Sequence, residues 1–67
     1  MGKNEAMKQA RKAKGLSQDA LATAVGVSRQ TINAIEKGDY NPTIRLCINI
    51  CRVLGLTLND LFWEEET

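Results

Sequence analysis

Four times along this 67-residue chain a glycine is followed, two to five positions later, by a serine or threonine: Gly15 and Ser17, Gly26 and Ser28, Gly38 and Thr43, Gly55 and Thr57. Glycine just past a helix end accepts the left-handed backbone that stops it, and a hydroxyl side chain caps the free N–H groups of the next helix. A chain cut this finely can become only a set of short helices joined by tight turns. Asn4 to Lys14, rich in Ala, Lys, Gln and Met, predicts the first helix. Ser17 opens the second, with Asp19 in its first turn and Ala20, Leu21, Ala24 and Val25 as the apolar positions. Ser28 opens the third, with Ile32 and Ile35 inward, and it closes after Lys37 at Gly38. Asn41-Pro42 makes a turn, Thr43 caps a fourth helix running to Leu54, and Thr57-Leu58-Asn59-Asp60 reads as a capping box for a short fifth. No segment before the tail alternates with strand period, and there is no internal repeat.

A chain of this length makes one domain, residues 1–67, with little core to spare, since domains this small bury only about 60% of their unfolded surface. The fourth helix is therefore informative. Ile44, Leu46, Cys47, Ile48, Ile50, Cys51, Val53 and Leu54 leave only Arg45, Asn49 and Arg52 polar. Such a helix is either the centre of a monomer's core or also part of a contact between subunits. The two cysteines stand four apart on one helical face, a poor geometry for a disulfide, and with no histidine in the chain there is no metal set to complete. Free thiols fit a reducing compartment. Nothing resembles a secretory signal or a membrane span, so a soluble, cytoplasmic protein is expected, with no membrane partner.

The net charge of +1 hides an asymmetry. Residues 1–52 carry all nine basic residues against four acidic ones, while residues 53–67 carry Asp60, Glu64, Glu65 and Glu66 and no base. A basic body with an acidic tail is compatible with a phosphate-facing surface, although many solvated surfaces share the pattern.

The segment from Gln18 to Glu36 carries most of the chemistry. Two short helices meet at Ala24-Val25-Gly26-Val27-Ser28, where the glycine permits a sharp turn. Ala22 is small where crossing helices approach, and Val27, Ile32 and Ile35 pin the second helix to the first. The remainder of that helix is polar: Ser28, Arg29, Gln30, Thr31, Asn33 and Lys37. Arg and Gln near the start of an exposed helix are suited to base edges, Arg to guanine O6/N7 and Gln to adenine N6/N7. By spacing alone, an ordinary helical hairpin with a solvated face is the competing reading.

Taken in order, Arg11, Gly15-Leu16-Ser17-Gln18, Leu21-Ala22, Gly26-Val27-Ser28, Ile32, Ile35-Glu36, Gly38 and Asn41-Pro42 make the chain resemble the Cro/C1-type (Xre-like) helix-turn-helix family of small prokaryotic and phage transcriptional regulators. The resemblance runs from about Met7 to Phe62. It implies an all-α, five-helix, lambda-repressor-like DNA-binding domain with its motif at about residues 17–37. It also implies that Ser28, Arg29, Gln30 and Asn33 read bases of double-stranded DNA. Gln18, Thr31, Lys37, Tyr40, Asn41, Thr43 and Arg45 would hold the backbone, setting register and salt dependence. Ala34 stands where some relatives have a base-reading polar residue and offers only a methyl. Arg11 and Glu36 match a pair that bridges the first and third helices in relatives; the alternative for Arg11 is one more phosphate-seeking base beside Lys8, Lys12 and Lys14. Two departures stand out: Ala10, where relatives carry a larger aliphatic residue, and Cys47 with Cys51, where they tend to have Ala.

Leu56, Leu58, Leu61, Phe62 and Trp63 crowd five large apolar side chains into eight residues. A core this small is not expected to hide them all. The expectation is that residues 53–67 form a homodimer contact, with a short antiparallel strand pair near Trp63 shielded by the glutamates; the competing view folds Trp63 back on its own subunit. The function expected is a repressor reading an inverted repeat as a homodimer, with no catalysis, no cofactor and no metal. An alternative in the same fold is an antitoxin-like or regulatory module that engages an unknown protein partner through the acidic tail or the fourth helix. Enzyme chemistry has no support: no histidine, no paired-carboxylate pocket and no glycine-rich phosphate loop.

Overall fold

Each helix of the fold is opened by a polar side chain, and four of the five are closed at a glycine. The computed structural model describes residues 4–62. Among them lie α1 (Glu5–Ala13), α2 (Gln18–Val25), α3 (Arg29–Lys37), α4 (Ile44–Leu54) and α5 (Leu58–Leu61), and no strand. Ser17, Ser28 and Thr43 cap α2, α3 and α4, each accepting from the backbone N–H three residues on. At Thr57 the box is complete: its Oγ1 accepts from the Asp60 N–H at 3.2 Å, and Asp60 Oδ2 accepts from the Thr57 N–H at 3.0 Å. The glycine stops share one geometry. The residue after each glycine donates back to a carbonyl five positions earlier, as in Leu16 to Arg11 and Val27 to Ala22, both at 3.0–3.1 Å. Those bonds close carbonyls that the helix leaves open.

The first helix starts one residue later than its composition predicts, because Asn4 caps it. Asn4 Oδ1 accepts from the Met7 N–H at 3.1 Å and Asn4 Nδ2 donates to the Leu61 carbonyl at 2.8 Å. Its backbone N–H donates to the Glu36 carbonyl at 2.9 Å. One side chain and one amide thus fasten the start of α1 to the ends of α3 and α5.

Met7, Leu21, Ile32 and Ile50 are fully enclosed, one from each of the first four helices. Ala22, Ile35, Leu46, Cys51, Leu54 and Leu61 complete the cluster, and Ala10, Leu16, Val25, Val27, Val53, Leu58 and Phe62 pack on its margin. The inward row of α2 is Leu21, Ala22 and Val25; Ala20 and Ala24, grouped with Leu21 and Val25 by apolar spacing, are exposed. The methyl of alanine carries too little apolar surface to decide which way a helix faces, so leucine decides it. Ala22 is 2% exposed, where a larger side chain would separate α2 from its neighbours. The fourth helix buries Leu46, Cys47, Ile50, Cys51 and Leu54 and packs on α2 and α5. It is not wrapped on all sides within one chain: Ile44 stays 58% exposed and Ile48 is half-buried. Cys47 and Cys51 are free thiols, and burial pushes both above the ordinary thiol range. No described helix is long and apolar enough to cross a membrane.

Candidate nucleic-acid interface

Gly26 sets the angle between α2 and α3. Its φ is +80°, in the left-handed region, and a Cβ built there meets nothing within 4 Å. Glycine is thus required by backbone conformation rather than by space. The turn lays α3 across α2 with Ile32, Ile35 and Glu36 buried. Arg29, Gln30 and Lys37 remain exposed, and Thr31, Asn33 and Ala34 are half-buried. The helix divides cleanly into an anchored face and a polar outer face.

The anchor is ionic as well as apolar. Arg11 Nε donates to Glu36 Oε2 at 2.8 Å and Arg11 Nη2 to Glu36 Oε1 at 3.3 Å, a two-pronged pair between α1 and α3. The side chains are 8% and 4% exposed. Arg11 Nη1 also donates to the Leu16 carbonyl at 2.8 Å, so the guanidinium is held on three sides. The sequence left Arg11 open between phosphate and Glu36; in the structure the guanidinium is turned inward and occupied. Gln18 extends the network, its Nε2 donating to Glu36 Oε1 at 3.1 Å and to Asn33 Oδ1 at 3.2 Å. Every buried side-chain polar atom among the described residues has a partner. With its carbonyl oxygen engaged, Asn33 is oriented before any ligand arrives, and it borders a polar cleft of about 150 Å³ shared with Glu5, Lys8 and Lys37.

At the start of α3, Ser28 Oγ caps Thr31 N–H at 3.2 Å and lies 3.0 Å from Thr31 Oγ1. Arg29 Nε lies 3.7 Å from Asp19 Oδ1 on α2, with the two side chains 53% and 77% exposed. Lys37 Nζ lies 3.9 Å from Asp39 Oδ2, also at the surface. Beyond α3, Tyr40, Asn41, Thr43 and Arg45 are all exposed along the α3–α4 connection and the first turn of α4. Thr43 is occupied as the cap of α4, accepting from the Leu46 N–H at 3.1 Å.

Of the residues expected at a subunit contact, Leu56 is 38% exposed, and Leu58 and Phe62 are half-buried. Leu61 is 5% exposed and belongs to the core of its own chain, so its apolar surface is already covered. Trp63 and the strand expected beside it lie outside the described residues. Sequence reasoning passed over two residues. Asp19 was read only as a helix-start acid, and its reach to Arg29 across the turn has no local signal. Asn4 was read as the first residue of the helix rather than as its cap. Among the described residues no three His, Cys, Asp or Glu side chains come together as a metal site.

Residues 7–61 match the family model described as helix-turn-helix. An uncharacterized helix-turn-helix-type transcriptional regulator of Bacillus subtilis, YgzD, is 47% identical over 60 residues, covering 90% of this chain and 91% of that protein. The ImmF control region 10 kDa protein of Bacillus phage phi105 is 38% identical over 59 residues, 88% of this chain and 66% of that protein. Among solved structures, the restriction-modification controller protein C.AhdI of Aeromonas hydrophila superposes with a TM-score of 0.81 at 29% identity, covering 88% of this chain and 89% of that one. With its two-helix motif, its five-helix fold and these relatives, the chain belongs to the Cro/C1-type helix-turn-helix family of DNA-binding transcriptional regulators.

Proposed function

We propose that this protein is a cytoplasmic repressor that binds an inverted-repeat operator as a homodimer, placing α3 in the major groove, and that it catalyses no reaction. The observation that carries the reading is the division of α3. A buried Arg11–Glu36 pair and Gln18 fix one face, and Arg29, Gln30 and Asn33 stand ready on the other. Arg29 and Gln30 read base edges, Asn33 reads from an orientation set by Gln18, and Ser28 contributes at the start of the helix. Gln18, Thr31, Lys37, Tyr40, Asn41, Thr43 and Arg45 hold the sugar-phosphate backbone. Support for the dimer is the apolar surface that a single chain leaves uncovered: Ile44 and Leu56 exposed, Leu58 and Phe62 partly so. Trp63 is assigned to the same contact from the sequence.

Selection of bound sequences from a random DNA pool tests the whole reading. The expected product is an inverted repeat with half-site centres about one helical turn, roughly 34 Å, apart. Sedimentation of the full chain should show a dimer at micromolar concentration, and removal of residues after Phe62, which leaves Leu61 in its own core, should abolish it along with operator affinity. A monomeric full chain whose operator affinity survives that truncation would refute the dimer.

A further inference from the structure

The geometry points to Asp19 as a positioning residue for Arg29, one that sharpens base discrimination while lowering affinity for DNA in general. This rests on the reading of α3 given above. Arg29 is the first residue of α3, and Asp19 sits in the first turn of α2, ten positions earlier in sequence and on a different helix. The turn at Gly26 brings their side chains to 3.7 Å, Nε to Oδ1. That separation is longer than a hydrogen bond, so the contact is an ion pair that biases the arginine without locking it.

Which guanidinium nitrogen faces the carboxylate is the informative part. A guanidinium can present either its Nε edge or its two terminal amino groups to a planar pair of acceptors. With Nε turned to Asp19, the terminal pair is what remains to reach outward. That pair matches guanine O6 and N7, and the bias leaves less of a long, flexible side chain to be ordered on binding. The carboxylate has a second effect. It stands exposed near the surface assigned to DNA, where it repels phosphate, and only a base that fully engages Arg29 compensates for that repulsion. The same acid also favours the start of α2 through the helix macrodipole, and a purely helix-stabilising role is the competing account.

The experiment uses the full chain and the operator that it selects from random DNA. Affinity is measured for that operator, for the same operator substituted at each base pair in turn, and for random duplex, with wild type, D19N, D19E, R29A and the D19N/R29A double variant. Thermal unfolding is recorded alongside. D19N is expected to bind random DNA more tightly, while preference at the base pair that depends on Arg29 falls about fivefold over the two half-sites. D19E, which keeps the charge, should retain most of that preference, and D19N should alter base preference no further once Arg29 is gone, although it should still tighten binding to random DNA. Undiminished base preference in D19N, with R29A still losing it, overturns the role of Asp19 and leaves the reading of α3 standing. If R29A itself keeps preference at every base pair, the base-reading role of Arg29 fails and the role of Asp19 falls with it.

Discussion

Two guanidinium–carboxylate pairs tie α3 to its neighbours, and they behave as opposites. Arg11–Glu36 lies in the seam between α1 and α3, at 2.8 Å with both side chains under a tenth exposed, and Arg29–Asp19 lies on the α2–α3 rim at 3.7 Å with both more than half exposed. In the seam the low dielectric makes the attraction strong and makes either charge costly if left alone. On the rim water competes for both partners, and the pair contributes little to folding. The difference assigns tasks: the seam fixes where α3 is, and the rim leaves what α3 presents open to exchange with a ligand.

The largest effect should come from breaking the seam. Glu36→Ala strands the Arg11 guanidinium and also removes an acceptor from Gln18, and urea unfolding should register a loss of about 3–5 kcal/mol. Arg11→Met combined with Glu36→Leu should recover most of that loss, because the uncompensated charge goes with its partner. A single variant as stable as wild type would erase the contrast between seam and rim.

An intermediate effect is expected on the rim, in binding rather than stability. Arg29→Ala should weaken cognate binding by roughly 1–3 kcal/mol and relax one base pair per half-site, while moving the unfolding free energy by less than about 0.5 kcal/mol. Lys37→Ala and Arg45→Ala should weaken all sequences alike and flatten the dependence of affinity on salt. Titrations against cognate and random duplex at several salt concentrations separate the two kinds of contact.

The smallest effect concerns a third carboxylate, exposed like Asp19 but engaged locally. Asp60 accepts the Thr57 N–H, and this hydrogen bond holds its carboxyl below the ordinary aspartate range in the folded chain. A lowered folded value means that the capping contribution is fully present above the unfolded value and disappears as pH falls through the folded one. Stability measured downward from pH 5 should therefore show a shallow acid loss that Asp60→Asn lacks. Equal acid profiles for the two proteins would place the carboxylate outside the energetics of α5.

Signals that act within four or five residues were open to reading from sequence. Ser17, Ser28, Thr43 and Thr57 cap the helices where their spacing from the glycines places them, because capping involves only the adjacent turn. Partners far apart in sequence were not legible in the same way. Arg11 and Glu36 are 25 positions apart, and only resemblance to a family paired them in advance. Nothing local joined Asp19 to Arg29 or Asn4 to Leu61. Along α2, apolar spacing grouped Ala20 and Ala24 with Leu21 and Val25, and it could not tell that both alanines stay exposed. In the tail, five apolar residues were read as one surface, yet Leu61 is taken up by the core while Leu56 is left outside. Four-residue helices give too little periodicity to tell such neighbours apart.

The contacts of Asn4 also make the described chain nearly circular. Its side-chain amide meets the Leu61 carbonyl at 2.8 Å, so the first and last described elements are stitched together although 57 positions separate them. The order in which the helices are strung is therefore not what holds them. A short linker from Phe62 to Asn4 could replace the break between the ends, and the chain could instead be opened in the exposed Asp39–Asn41 connection, with the same neighbours packed around the same core.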